Sequence, residues 1–525
     1  MPRRVQLRVH PDVVLDDAAL RRAAARRAKI AESEIATVVV QRRSIDARRG
    51  RVMLQLVADI VLRDEPALRQ ATPVPAALPP LGGTPPVAIV GAGPAGMFCA
   101  WALAQHGIAS LILERGKPVR ARRHDLAALC KRGELNAQSN YCFGEGGAGT
   151  FSDGKLYSRA HKRGDLQRVL EAFVGYGAPT EIMVDARPHI GTNRLPAVVT
   201  AMREHLADAG VTLAFDRRVD GLTTQGDRVT GVVVDGVTIA ARAVVLAVGH
   251  SARDVTRWLH TAGAALSAKP FAVGVRIEHP QALIDTLQFG DLAGHPALGA
   301  AAYRLVEQVD GAGAFSFCMC PGGFIVPAAT EPGGQVVNGW SPSSRQGRFA
   351  NSGFVTEVGP TQLIEAGLDP TDVFAGVQLQ RQLEQAAFEA GGGAYVAPAQ
   401  RLDDFVAARD SDALPLCSYP RGLSAARLDV LLGALAHPMR AALRRLGERM
   451  PGFVSADAVA VGVETRTSAP IRTERERDTL QSPTLAGLFP CGEGAGYAGG
   501  IMSAALDGIR VADAVGRALG SDALS

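Results

Sequence analysis

Gly91-Ala-Gly-Pro-Ala-Gly96 sets three glycines at the spacing that lets a backbone close around a diphosphate. The first glycine permits a tight turn, the second a near approach by pyrophosphate, and the third close packing of a helix on a strand. A helix starting here aims its free N–H groups at the phosphates. The chemistry implied is dinucleotide binding. Because such a motif also arises as a plain turn in glycine-rich chains, its flanks decide. Val87–Val90 precedes it as an apolar strand, Met97–Gln105 follows with helical spacing, and Ala109–Leu113 is a second apolar strand ending in Glu114. Glu114 stands 114 − 96 = 18 positions past the last glycine, where an acid would accept hydrogen bonds from both ribose hydroxyls.

A second glycine turn lies far away in sequence. Cys491-Gly-Glu-Gly-Ala-Gly496 leads through Gly499-Gly500-Ile-Met-Ser503 into a helix expected over Ile501–Leu519. The apolar strand Arg242–Gly249 also ends in glycine. One early fingerprint with a return strand and a late glycine turn points to FAD rather than a bound nicotinamide, which would need its own Rossmann unit. The late helix would face N1 and O2 of the isoalloxazine, where negative charge collects on reduction. Its dipole contributes roughly 0.3–1 kcal/mol, or about 2 when partly buried. That tunes a potential without dominating it.

Several long stretches then carry a family resemblance. They are Gly91–Gly96, Asn140–Lys155, Pro188–Asn193, Ala247–Asp254, Phe271–Pro280, Phe317–Gly323 and Gly487–Ser503. With them the chain resembles a poorly characterised bacterial group of FAD-dependent dehydrogenases of the glutathione-reductase-type flavoprotein class. The resemblance implies bound FAD and an N-terminal appendage, and it supplies no substrate. Where the more usual flavin motif has Asp after Gly, this chain has Glu493, from which a ribityl contact is expected. The expected cofactor-binding residues are Gly91, Gly93, Ala95, Gly96, Glu114, Arg115, Gly146, Gly147, Val219, Gly249, Gly492, Glu493, Gly500, Ile501 and Met502.

Other residues could act on a substrate. Phe143–Lys155 holds five glycines with Thr150, Ser152 and Lys155, a flexible backbone with hydroxyls and one cation, suited to pyrophosphate or the flavin pyrimidine edge. Cys318 and Cys320 invite a redox role, since a thiolate near flavin exchanges electrons or forms an adduct. Their CxC spacing closes only a strained ring, so a loop contact shaped by Pro321-Gly322-Gly323 is the other reading. His189, His250 and His279 sit in motif stretches and are candidate acid–base groups, set against a structural role for each. His189, Cys318 and Cys320 form the expected catalytic set. Arg187, Arg276 and Arg345 would clamp a carboxylate or form salt bridges within the fold.

These groups need a frame to hold them. The 525 residues suffice for two to four domains, and an apolar fraction of 47% with 21% charged is ordinary for a globular chain. The expected fold is α/β. It combines a glutathione-reductase-type FAD-binding Rossmann domain, an inserted mainly-β substrate domain and a small α+β N-terminal module. Val5–Val9, Ala36–Gln41 and Val52–Val61 read as strands of that module, and Asp17–Lys29 as its helix. The boundaries expected are 1–65 for the module and 66–86 for a linker with seven prolines. FAD-binding sequence follows over 87–265, the insertion over 266–455, and the FAD domain resumes over 456–525.

Composition limits the function classes. Residues 1–70 carry 15 Lys+Arg against 9 Asp+Glu, a surplus of +6, within a net charge of +4 for the chain. That surplus reads as a solvated basic face or as a surface for nucleic acid or an acidic partner. With no Phe, Trp or Tyr there, no base-stacking platform exists. Seven irregularly spaced cysteines form no disulfide framework, no metal motif is present, and no 18-residue apolar run suggests a membrane span. A cytoplasmic FAD-dependent oxidoreductase acting on a small molecule is the expectation, with NAD(P)H as a diffusible donor. A flavin-dependent RNA-modifying enzyme and a non-enzymatic flavoprotein docking module are the alternatives.

Overall fold

The computed structural model describes residues 3–48, 51–66, 72–157 and 164–522. At the N-terminus, Arg3–Val9, Ile35–Asp46 and Met53–Leu62 form an antiparallel sheet with Met53–Leu62 in the middle. Val5, Leu7 and Val9 are buried while their neighbours face water, the period-two pattern of a strand with one covered side. The helix Asp17–Ala28 packs on it through Leu20, Ala24 and Ala25. Asp16 caps its start by accepting a 2.9 Å bond from the Ala18 N–H, and Lys29 ends it in the left-handed region.

This module does not hang free. Arg43 N donates to Val184 O at 3.0 Å, Ala186 N donates to Arg43 O at 2.9 Å, and the Arg43 guanidinium pairs with Asp185 at 2.9 Å. Arg4, Arg22 and Arg48 pair with Asp59, Asp16 and Asp46. Part of the basic surplus is therefore neutralised locally. The proline-rich connection is also pinned, since Leu81 N donates to Ala209 O at 2.8 Å. Its residues 67–71 lie outside the described residues.

Next comes a five-stranded parallel sheet ordered Leu488–Pro490, Ala243–Leu246, Val87–Val90, Ser110–Leu113 and Thr212–Ala214. All four residues of Val87–Val90 are buried, as a central parallel strand requires. The helix Pro94–Gln105 follows it, and Ile501–Asp522 packs along that helix. The crossing is close because Gly508 has no side chain. A Cβ there would lie 2.2 Å from Ala95 O and 3.1 Å from Cys99 N. Gly508→Val is expected to force the helices apart, costing about 1–3 kcal/mol. A lower urea midpoint with unchanged slope would show it, and an unchanged midpoint would refute the packing argument.

Leu266–Ala268 and Ile471–Thr473 pair antiparallel where the chain leaves and re-enters this domain. Beyond them lies a large sheet ordered Val306–Val309, Ala312–Pro327, Phe349–Val358, Phe271–Pro280, Val459–Glu464, Ala397–Arg401 and Leu423–Ala425, with Val337–Trp340 paired to Ala312–Pro327. Two expectations need correction. Val459–Glu464 belongs to this sheet, so the insertion runs past residue 455, a boundary that strand pairing rather than local sequence sets. Nor is the domain mainly β: Gln281–Phe289, Ala375–Ala390 and Ala436–Arg449 are helices of the same body, and Met439, Leu443 and Leu446 are buried from it.

Candidate cofactor and substrate site

One elongated cavity joins the two glycine turns. Gly91, Gly93, Ala95, Glu114, Arg115, Gly147, Val219, Gly249, Glu493, Gly500 and Ile501 all line it, as do Lys155, His250 and Cys318. Gly91 has φ +104°, and a Cβ there would stand 2.4 Å from Ala247 O, so only glycine lets the two adjacent strand ends meet. Gly93 and Gly147 face each other, the nearest atom to a Cβ on Gly93 being Gly147 Cα at 3.9 Å. In Pro94–Gln105 the first helical bond runs from Met97 N to Gly93 O. The N–H groups of Ala95 and Gly96 thus lack helical partners. The same holds for Ile501, Met502 and Ser503, because Ala504 N is the first to bond back, to Gly500 O.

Four expected cofactor residues sit behind the wall. A Cβ on Gly96 would fall 2.0 Å from Gly91 O, so Gly96 serves the turn itself. Gly146 N donates to Ala92 O at 2.8 Å, Gly492 N donates to Asp507 at 2.8 Å, and the Met502 side chain is buried among the helices. The Glu114 carboxylate is also more occupied than expected. It accepts from Ala92 N, Gly116 N and Gly144 N at 2.8–2.9 Å, which leaves room for about one ribose hydroxyl rather than two.

Arg122 was not singled out from sequence, where nothing distinguishes it from other helix arginines. Fully buried, it donates to the carbonyls of Asn140, Tyr141, Glu145 and Gly147 at 2.8–3.0 Å. Burial lowers its pKa to about 10, so it stays charged at neutral pH. Gly144, Gly146 and Gly147 have φ of +118°, +75° and +62°, and this one guanidinium fixes the loop they shape. Arg115 stacks 4.2 Å over the Phe143 ring at the Glu114 end, where Arg217 and Arg218 also line the cavity.

At the opposite end, where the flavin pyrimidine edge was one of the two partners expected for this stretch, stands Lys155. Its ammonium lies 3.7 Å from Cys318 Sγ and 3.6 Å from Cys320 Sγ, and 3.4 Å from Asp153. It therefore answers sulfur and a carboxylate rather than the phosphate turn. Cys320 is fully buried behind Cys318. His189 is not a cavity residue: its backbone pairs with Lys155, and its Nε2 meets Ser343 O at 3.2 Å. Burial, with Arg345 adding to it, lowers its pKa. His279 is buried against Phe453 O, whereas His250 reaches the cavity with a ring held by Ser251 at 2.8 Å and a pKa lowered to about 4 by burial. Arg276 pairs with Glu464 and Arg345 with Asp153, and no cavity role falls to Arg187. Glu493 is pushed up to about 7, chiefly by burial.

Residues 270–467 match a family described as "FAD-dependent protein, C-terminal domain-like", and residues 89–125 match an NAD(P)-binding Rossmann-like domain. Residues 1–61 match a domain of unknown function. An uncharacterized protein of Clostridium beijerinckii is 42% identical over 81% of this chain and 79% of its own. The chain belongs to this FAD-dependent family. Among solved structures, the halogenase PltM is 13% identical with a TM-score of 0.37, covering 83% of this chain and 70% of its own. A geranylgeranyl bacteriochlorophyll reductase-like protein from Thermoplasma acidophilum is 12% identical with a TM-score of 0.34, covering 83% and 79%.

The residues present fit the cofactor of that family. A pyrophosphate needs N–H donors and a backbone without side chains, which Gly93, Ala95 and Gly147 supply. The Glu114–Arg115–Val219 end would hold the adenosine, and the Gly500–Ile501 end with Glu493 would hold the ribityl chain and ring. No helix among the described residues is long and apolar enough to cross a membrane. Among them no cluster of three or more His, Cys, Asp or Glu could hold a metal ion.

Proposed function

We propose that this protein is an FAD-dependent oxidoreductase that moves a hydride between flavin N5 and a substrate carbon or a diffusible nicotinamide. The single observation that carries the reading is the continuous cavity from Glu114 to Cys318, lined in order by groups suited to adenosine, pyrophosphate and a redox ring. Bound FAD supplies a reversible two-electron centre. The protein's part is to orient it, and the open N–H groups at Ile501 and Met502 favour negative charge developing on the ring. His250 stays neutral near pH 7 at the cavity wall. The strand order and the return of the late glycine turn beside the early one support a glutathione-reductase-type cofactor domain. All seven cysteines are free, which agrees with a reducing cytoplasm.

The purified protein is expected to be yellow. Anaerobic addition of NADH and NADPH separately should bleach the flavin with one of them. Bleaching by neither would move the reading to a dehydrogenase reduced by its own substrate. A colourless protein that takes up no added FAD would overturn the assignment.

A further inference from the structure

The strand Ala312–Pro327 loses its regular pairing at its two cysteines. Its register against Phe349–Val358 shifts between Phe317 and Cys320 and again between Cys320 and Gly323. Cys318 takes φ +47°, a left-handed conformation that is uncommon for cysteine. Bulges of this kind re-aim side chains and recur beside active sites. Here the result is specific: both sulfurs lie 3.6–3.7 Å from the one Lys155 ammonium. Cys318 lines the cavity, and Cys320 is buried behind it.

The charges around the pair are unbalanced without sulfur. Three cations face it: Lys155, then Arg276, which donates to Cys318 O at 2.7 Å and reaches Cys320 Sγ at 3.6 Å, then Arg345 through Asp153. Against them stand two carboxylates, Asp153 and Glu464, and burial pushes Glu464 up to about 7. His189 next to them is held neutral. Among these groups one positive charge is left over, which one thiolate cancels, while burial and the nearby Cys318 hold Glu493 partly neutral. The hydrogen bond from Cys320 favours placing that charge on Cys318, with Lys155 and Arg276 adding to it against burial, while burial keeps Cys320 protonated.

We propose that Cys318 and Cys320 form a dithiol/disulfide couple that exchanges two electrons with the bound flavin, with Cys318 meeting an external disulfide or thiol as substrate. This rests on the oxidoreductase reading above and names its substrate class. The Cys318 thiolate attacks one sulfur of a disulfide RSSR, forming a mixed disulfide and releasing RS−. Cys320 then attacks Cys318, loses its proton, and expels the second half, so that RSSR leaves as RS− and RSH. Reduction of the new S–S bond takes two electrons and one proton from reduced flavin and restores Cys318 S− and Cys320 S–H. A ring closed over one intervening residue is strained, and strained disulfides are the oxidising, catalytic ones. Lys155 is the positioning residue that keeps Cys318 ionised.

The test is an anaerobic reductive titration of the flavin-loaded protein after mild oxidation. Wild type is expected to take about four electrons per flavin, two for each couple, and Cys318→Ser or Cys320→Ser about two. The peptide carrying both cysteines should be two hydrogens lighter before reduction than after. Lys155→Gln should keep its flavin but move the pH profile of Cys318 alkylation to higher pH, because the thiolate loses the ammonium 3.7 Å away. A yellow wild-type protein that takes only two electrons, with both thiols open to alkylation after oxidation, overturns the couple. Nicotinamide bleaching of the flavin is read separately in each variant, so loss of the oxidoreductase reading is told apart from loss of the couple.

Discussion

Arg122→Met is expected to empty the protein of FAD and to cost about 3–5 kcal/mol of stability, because four buried carbonyls lose their one shared charged donor. Methionine fills a similar volume but makes no hydrogen bonds. The carbonyls of Asn140, Tyr141, Glu145 and Gly147 would lose their shared donor. Each buried acceptor left alone costs about 1–3 kcal/mol, offset in part because a buried charge disappears. The loop they hold carries Gly147, which faces Gly93 across the cavity, so relaxation of the loop closes or distorts that gap. Arg122→Lys retains the charge but presents one compact ammonium in place of a fork, and should fall between wild type and Arg122→Met. Flavin absorbance per protein and a urea midpoint measure both effects. A Met variant that keeps full flavin content would show that the glycine loop holds its shape unaided.

The second large effect is expected at Glu384, which joins the two domains. Arg253 of the cofactor domain forks onto it at 2.8 and 2.9 Å, Arg466 meets it at 3.0 Å, and Thr465 donates to it at 2.7 Å. All three charged groups are buried. Glu384→Gln leaves Arg466 without its carboxylate and Arg253 with Glu331 alone, 3.1 Å away, and a loss of about 3 kcal/mol is expected. The same group makes stability fall in acid. Burial opposes its ionisation, but Arg466 and Arg253 outweigh burial and lower its pKa to about 2 from 4.5. Because the folded value is the lower one, the stabilisation is complete above about pH 4.5 and is lost as pH falls towards 2. It amounts to about 3 kcal/mol. In urea titrations between pH 6 and 3, wild type should lose stability more steeply than Glu384→Gln. Parallel slopes would mean that Glu384 is not the group responsible.

Lys155 and Arg122 show where reading from sequence stopped. Lys155 was visible as the cation of a glycine-rich stretch, yet that stretch gives no hint that a bulged strand more than 150 residues later brings two sulfurs to it. Arg122 is one of several arginines on an amphipathic helix, and only burial marks it out. The charge triad of Arg253, Glu384 and Arg466 spans three separated segments, so no local pattern could announce it. His189 differs in the opposite way: its motif position suggested chemistry in the cavity, and the fold sets its ring against Ser343 O, beside Asp153 and Arg345.

Local chemistry was enough for the cofactor turn. Gly91, Gly93 and Gly96 between a strand and a helix, Glu114 at the next strand end, and the late turn at Gly492–Gly500 are short-range signals, because backbone conformation and helix N-termini depend on nearby residues. From them came the FAD domain, and from strand and helix periodicity in residues 1–65 came the N-terminal module. Only the folded chain decided that Val459–Glu464 joins the large sheet, that Gly508 sets the helix spacing, and that Cys318, Cys320 and Lys155 meet. Those facts depend on contacts between segments far apart in sequence, which register and burial fix and local residue types do not encode.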